Sequence, residues 1–244
     1  MHRQSTLNPQ PAFVIHQRAY RETSALVEMF TRHNGRLGLV ARGAKRAKSP
    51  LRNTLQAFQP LMIRWTGRGE LGTLIQAETR EARGLLPGKA VLSGLYLNEL
   101  MLRLTHRHDP QPELYQAYAV AIDGLRQCAQ VESTLRIFEK RLLQASGYGL
   151  VLDHDVHSGA ALEPHQRYVY ETELGPAQAA DDAPEGVTVS GRTLLALARE
   201  DELDAHCQRE AKRLMRHVLN QHLGERQLQS RSLFQAVAIP SKPG

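Results

Sequence analysis

The chemistry that this sequence can do is concentrated in one stretch. From Arg36 to Arg52 it reads Arg-Leu-Gly-Leu-Val-Ala-Arg-Gly-Ala-Lys-Arg-Ala-Lys-Ser-Pro-Leu-Arg, with six cations and no acid. Leu37, Leu39 and Ala41 alternate as in a strand, and Gly43 breaks the strand into a loop carrying Lys45, Arg46 and Lys48. A strand that delivers unpaired cations to its end suits a polyanion, because each Lys or Arg that meets a phosphate releases a condensed counterion. Arg36, Arg42, Lys45, Arg46, Lys48 and Arg52 are therefore candidate phosphate contacts, joined by Arg68 in the turn Gly67-Arg-Gly69. A plainly solvated basic loop has the same composition.

Other candidate chemistry is thinner. His154-Asp-Val-His157 has metal-ligand spacing, and Asp153, His154, Asp155 and His157 could in principle hold a divalent ion for nuclease chemistry. No cysteine joins them. Cys128 and Cys207 lie far apart in helical patterns, which predicts buried free thiols and a reducing, cytosolic compartment. Gly67-Arg-Gly69 is no phosphate loop, since no Lys-Ser/Thr follows and no helix opens there. No nucleotide-hydrolysis motif occurs. The reading is a binding protein rather than an enzyme, with no cofactor and no metal.

Positioning these residues requires a scaffold. Strands are expected at Ala12–His16, Ala25–Thr31, Arg36–Ala41, Leu61–Trp65 and Leu71–Gln76, with Gln17–Thr23 as a polar turn. Asn34-Gly35 signals a hairpin, and Ser49–Phe58 has room for one short helix. Five strands with a helix between the third and fourth predict a five-stranded OB-fold barrel. Trp65, Phe30 and Phe58 read as core fillers, with base stacking as the other use of such rings.

Arg83–Lys89 reads as a linker, followed by helices over Val91–Leu104, Pro112–Leu125 and Glu132–Ser146. The first is apolar nearly all round and ends in His106, Arg107 and His108, which a helix C-terminus favours. Leu150–Val189 is rich in Gly, Pro and His, with a possible strand at Arg167–Glu171 and acids at Asp181-Asp182. Helical patterns resume at Thr193–Arg199 and Leu203–Leu223. The fold class is α+β, with residues 1–82 as the barrel, 83–149 and 190–244 as a helical domain, and 150–189 as a small insertion.

Charge follows this division. The formal net charge is +6 over 244 residues. Residues 1–80 hold 13 Lys and Arg against 4 Asp and Glu, while the remainder is slightly acidic, at 18 against 21. The basic character belongs to the barrel, which points to a nucleic-acid face there. Met1–Pro11 is polar, so no signal peptide is expected, and no apolar run reaches the roughly 20 residues of a membrane helix.

The order of short motifs resembles the RecO family of bacterial DNA-repair and recombination mediators. It is carried by Arg18-Ala-Tyr-Arg-Glu-Thr-Ser24, His33-Asn-Gly-Arg36, Val40-Ala-Arg-Gly-Ala44, Gly67-Arg-Gly-Glu70, Gly94-Leu-Tyr-Leu-Asn-Glu-Leu100, Leu135-Arg-Ile-Phe-Glu139, Gly147-Tyr-Gly149 and Leu228-Gln-Ser-Arg231. The resemblance implies an OB-fold, a helical domain and an insertion that often carries four zinc-binding cysteines. Residues 150–174 contain none. It also implies binding of single- and double-stranded DNA, annealing of complementary strands, and work with RecR to help load RecA onto strands coated by single-stranded-DNA-binding protein, SSB. Arg136 stands where the family's Leu-Arg-x-Phe-Glu motif places an arginine used to grip the acidic SSB tail, with Leu135 and Lys140 beside it. The expected setting is the cytoplasm, associated with the nucleoid. An RNA-binding OB protein is the alternative that composition leaves open. Lys212, Arg213 and Arg216 either extend the groove or sit on a surface helix.

Overall fold

A computed structural model describes residues 8–67, 69–81, 83–128, 130–179, 186–224, 228–230 and 232–233. Among the expected features, residues 1–7, Arg68, Asp181, Asp182 and Arg231 lie outside the described residues.

The N-terminal strands are β1 (Gln10–Tyr20), β2 (Ser24–Thr31), β3 (Gly35–Ala41), β4 (Leu61–Thr66) and β5 (Gly72–Thr79), with helix α1 (Pro50–Thr54) between β3 and β4. They close into a barrel in the order β1-β2-β3-β5-β4. All pairings are antiparallel except the closing one, where Leu39 and Val40 of β3 lie parallel to Gly72 and Thr73 of β5. This is the five-stranded OB architecture. Its interior holds Val27, Met29, Leu37, Leu39, Leu61, Ile63, Trp65 and Leu74. Each such side chain contributes about 1.5–3 kcal/mol of transfer free energy. The single tryptophan is thus a core filler.

Two local readings change. The polar run after His16 is strand, not turn: β1 pairs with β2 as far as Tyr20 and Ser24, with a bulge between Val14 and His16. Strand is possible there because residues 16–19 face solvent, so polarity is no obstacle. In the hairpin signal only Gly35 takes a positive φ, 65°. A Cβ there would lie 2.1 Å from the Asp109 carbonyl oxygen, so the glycine also permits a close backbone approach.

Helices α2 (Ala90–Leu104) and α3 (Pro112–Gln127) belong to the same compact unit as the barrel, together with residues 228–230. The reason is aromatic. Phe13 and Phe30, paired across β1 and β2, turn away from the barrel interior onto Tyr115 and Tyr118, with ring centroids 5.1–6.4 Å apart. The Tyr118 hydroxyl donates to Asn98 Oδ1 at 2.6 Å. Phe58 packs so tightly on α2 that a Cβ at Gly94 would lie 2.7 Å from its ring.

The second unit spans residues 129–227. It contains α4 (Val131–Ala145), strands β6 (Arg167–Glu171), β7 (Gly175–Gln178) and β8 (Val187–Ser190), and helices α5 (Gly191–Arg199) and α6 (Ala205–Leu223). The strands form one sheet in the order β7-β6-β8, where the sequence suggested only the strand at Arg167–Glu171. Helix α6 packs on α4, α5 and β8. Glu210 of α6 joins these pieces: it accepts from the Ser190 amide, Ser190 Oγ and Thr193 Oγ1, and its other oxygen pairs with Arg167 at 2.9 Å. The boundary between the two compact units falls after α3.

Cys207 is buried, but Cys128 is exposed, and both are free. Cys128 is the left-handed C-cap of α3, one residue past the helix and outside its apolar stripe. No described helix is long and apolar enough to cross a membrane.

Candidate nucleic-acid interface

The basic loop is held firmly by its backbone. Ala41 ends β3 in the core, and Gly43 turns the chain with a φ of 68°. Ala44 returns to the core at 3% exposure. The Lys45 amide donates to the Thr23 carbonyl at 2.9 Å, which ties the loop to the turn between β1 and β2. The amides of Arg46, Ser49 and Arg52 then donate to Gly43, Arg46 and Ser49, so the loop is a chain of turns leading into α1. Leu55, buried in the barrel core, anchors its far end.

On this frame the side chains of Arg42, Lys45, Arg46, Lys48 and Arg52 are exposed. None pairs with a carboxylate of a described residue. The arrangement offers five solvated cations on a fixed backbone, which suits phosphates and leaves base identity unread.

Arg36 is placed differently. Its guanidinium lies at the other end of β3, donates to the Leu102 carbonyl and sits 3.8 Å from Glu28. Burial lowers its pKa, with Glu28 opposing that effect. Arg36 thus belongs to a second cluster that the spacing of residues did not reveal. Glu28 also binds Arg107, which in turn reaches the Glu70 carboxylate at 3.0 Å and the Glu70 carbonyl at 3.1 Å. Hydrogen bonding to Glu28 raises the Arg107 pKa. His16, Arg18, Glu28, Arg36, Glu70, His106, Arg107 and His108 line a cleft of about 680 Å³ beside Leu102. A sequence signal for it existed in the parity of outward strand positions 16, 18, 28 and 36. Its missing half, the end of α2, comes from a distant part of the chain.

The residues expected to grip an acidic tail are mostly engaged inside the second unit. Arg136 is 5% exposed and pairs with buried Glu139 at 2.9 Å, and its Nε is buried without a hydrogen-bond partner among the described residues. Leu135 is buried. Lys140 Nζ donates to the carbonyls of Leu197 and Ala198 at 3.0 and 3.1 Å and lies 2.9 Å from Glu200, which caps the C-terminus of α5. Lys140 is therefore a structural cation here, not an open one. On α6, Arg213 and Arg216 are exposed, while Lys212 pairs with Glu132 at 2.9 Å.

The four residues of the nuclease alternative do not converge. Asp155 is buried and accepts from the amides of His157, Ser158 and Gln178 and from Ser158 Oγ. These donors, the Ser158 amide first, hold its pKa at about 2. His154 pairs with Asp153 and His157 with Glu171. Among the described residues no group of three His, Cys, Asp or Glu side chains gathers around a metal position.

Comparison with known proteins agrees with the fold. Residues 7–83 match the family model "Recombination protein O N terminal", and residues 88–232 match "Recombination protein O C terminal". The chain is 46% identical over 226 residues to the DNA repair protein RecO of Nitrosospira multiformis, covering 92% of this chain and 93% of that one. It is 44% identical over 234 residues to the RecO of Aromatoleum aromaticum, covering 96% and 98%. A RecO from an Azoarcus species is 46% identical over 232 residues, covering 94% and 96%. With an OB barrel at its start, a helical region after it and both family models spanning nearly its whole length, the chain belongs to the RecO family of DNA repair proteins.

Proposed function

We infer that this chain is a recombination mediator that binds single- and double-stranded DNA, anneals complementary strands and, with RecR, helps to load RecA onto SSB-coated strands. The observation that carries the reading is the pinned loop with five exposed, uncompensated cations. Annealing needs phosphate charge screened and strands aligned, and an electrostatic grip supplies both without a nucleophile or general acid. The pre-formed backbone matters because ordering a floppy loop would cost about 1–2 kcal/mol per residue at binding. On this reading the chain has no catalytic role.

The SSB tail is the proposed ligand of the second unit, at Arg136 with Leu135. A tail ending in an apolar residue and a carboxylate suits an arginine set beside Leu135 and Phe138. Lys140 would act there only through the end of α5 that it caps. The test uses fluorescence anisotropy with a labelled single-stranded DNA and a labelled acidic SSB tail peptide. The Lys45/Arg46/Lys48 triple alanine variant is expected to lose DNA affinity alone, and Arg136→Ala to lose peptide affinity alone. Failure of the wild-type protein to bind either probe at low salt would overturn the reading. Equal competition by single-stranded RNA would favour an RNA-binding role.

A further inference from the structure

We propose that the cleft lined by His16, Arg18, His106 and His108 is a second phosphate-binding site for single-stranded nucleic acid, and that its grip strengthens as the histidines take up protons. This extends the nucleic-acid reading of the basic loop and rests on it.

The argument begins with the strands. Register places Arg18 opposite Leu26 and Leu26 opposite Val40, and it places His16 opposite Glu28 and Glu28 opposite Gly38. These residues share the outward face of β1, β2 and β3. The next outward position after Val40 is Arg42, the first cation of the loop. Gly38 and Arg42 are four residues apart, or about 13 Å along a strand. One surface thus runs from the loop into the cleft, short enough for a few nucleotides of an extended strand.

The cleft floor is already neutralised. Arg36 and Arg107 face Glu28, and Arg107 also faces Glu70. Gly38 makes room for this pairing, since a Cβ there would lie 3.0 Å from Arg107 Cζ. The rim is not neutralised. No carboxylate of a described residue pairs with His16, Arg18, His106 or His108. The charged groups facing the imidazoles are Arg18 from β1, Glu28 from β2, Arg36 from β3, Glu70 from the turn before β5, and Arg107 after α2. Neighbouring Asp109 accepts from Gln111 Nε2 at 2.9 Å.

Three guanidinium groups against two carboxylates leave one positive charge in the cleft. Three protonated imidazoles raise that to four. Histidine is the side chain that changes charge between about pH 5 and 8. An imidazolium offers two N–H donors and suits a phosphodiester oxygen, and the charge it adds displaces counterions as a lysine would.

The test measures the affinity of a labelled oligothymidylate at pH 8.0 and pH 5.5, at constant ionic strength, with native folding checked by circular dichroism. Wild type should bind about tenfold more tightly at the lower pH. The His16→Gln/His106→Gln/His108→Gln variant should lose most of that gain. Arg18→Gln should bind more weakly at both pH values and keep the gain. The Lys45/Arg46/Lys48 variant should also keep the gain at reduced affinity. An unchanged pH gain in the triple histidine variant overturns the cleft proposal alone. Absence of DNA binding by wild type overturns the underlying reading instead. Labelled poly-glutamate is the second probe. If the histidine substitutions weaken its binding and leave oligothymidylate binding unchanged at both pH values, the cleft is an acidic-protein surface and the proposal fails.

Discussion

Glu99, in the middle of α2, accepts the backbone N–H of Ser230 at 2.9 Å and the Ser230 hydroxyl at 2.7 Å, across 131 residues of chain. It also accepts the Gln229 amide at 2.9 Å, and Arg103 braces it from one turn on. Residues 229 and 230 are helical, so the carboxylate occupies the place of a side-chain cap for orphan amides. Two motifs that look unrelated in sequence, Asn98-Glu-Leu100 and Leu228-Gln-Ser230, are the two halves of one clasp. Next to Gln229 in sequence, Leu228 is 2% exposed.

The clasp makes a direct prediction. Glu99→Ala leaves three donors without their acceptor and should cost the first unit about 1–3 kcal/mol. Amide hydrogen exchange at residues 229 and 230 should rise sharply, while exchange in the barrel strands stays slow. Unchanged protection at these amides would show that Leu228 alone holds the segment. Burial disfavours the Glu99 charge, but the Ser230 and Gln229 donors and Arg103 outweigh it and lower its pKa. The clasp should therefore loosen only when pH falls below the ordinary carboxylate range.

Acid stability of the second unit should rest on Glu210 and Asp155. Burial works against the Glu210 charge, yet its donors from Ser190 and Thr193 and its pairing with Arg167 hold the pKa at about 2. Asp155, bound by the Ser158 amide and three further donors, also lies at about 2. A carboxylate with a lowered folded pKa contributes stability that is complete above its unfolded value, near 4, and is lost as pH falls towards the folded value. Denaturant unfolding between pH 5 and 2 should show this loss in the wild-type protein. Glu210→Gln should be about 3 kcal/mol less stable at pH 7 and should show a flatter acid limb. An acid limb identical to wild type would remove Glu210 from the account.

The two cysteines should separate chemically. Cys128 lies exposed at the end of α3, while Cys207 is buried and its thiol pKa is raised chiefly by that burial. A disulfide-exchange reagent at pH 8 should modify one thiol quickly in the native protein and the second only on unfolding. Cys128→Ser should abolish the fast phase. Two fast thiols would contradict the burial of Cys207.

Much of this molecule is legible in its sequence, for reasons that particular residues make plain. Leu37, Leu39 and Ala41 alternate because one face of β3 fills the barrel, and Gly35 marks the hairpin because its φ is positive. The loop cations stand out because they are consecutive in sequence. The cleft was hidden because its members become neighbours only through register and through the return of α2. The SSB-tail candidates illustrate the opposite limit. Lys140 has the spacing of a surface cation beside Arg136, yet the end of α5 supplies two carbonyls that claim it. Short β8 leaves little trace in the sequence because four residues carry little periodicity, and it exists through pairing with β6.

The central claim, that the pinned loop grips the phosphate backbone, is tested most directly by the salt dependence of single-stranded DNA binding. Each phosphate contact adds about 0.7 to the magnitude of the slope of log K against log salt on single strands. Alanine at Lys45, Arg46 and Lys48 together should reduce that slope by about 2 and weaken binding most at low salt. A slope equal to that of wild type would place the DNA elsewhere on the molecule and contradict the account.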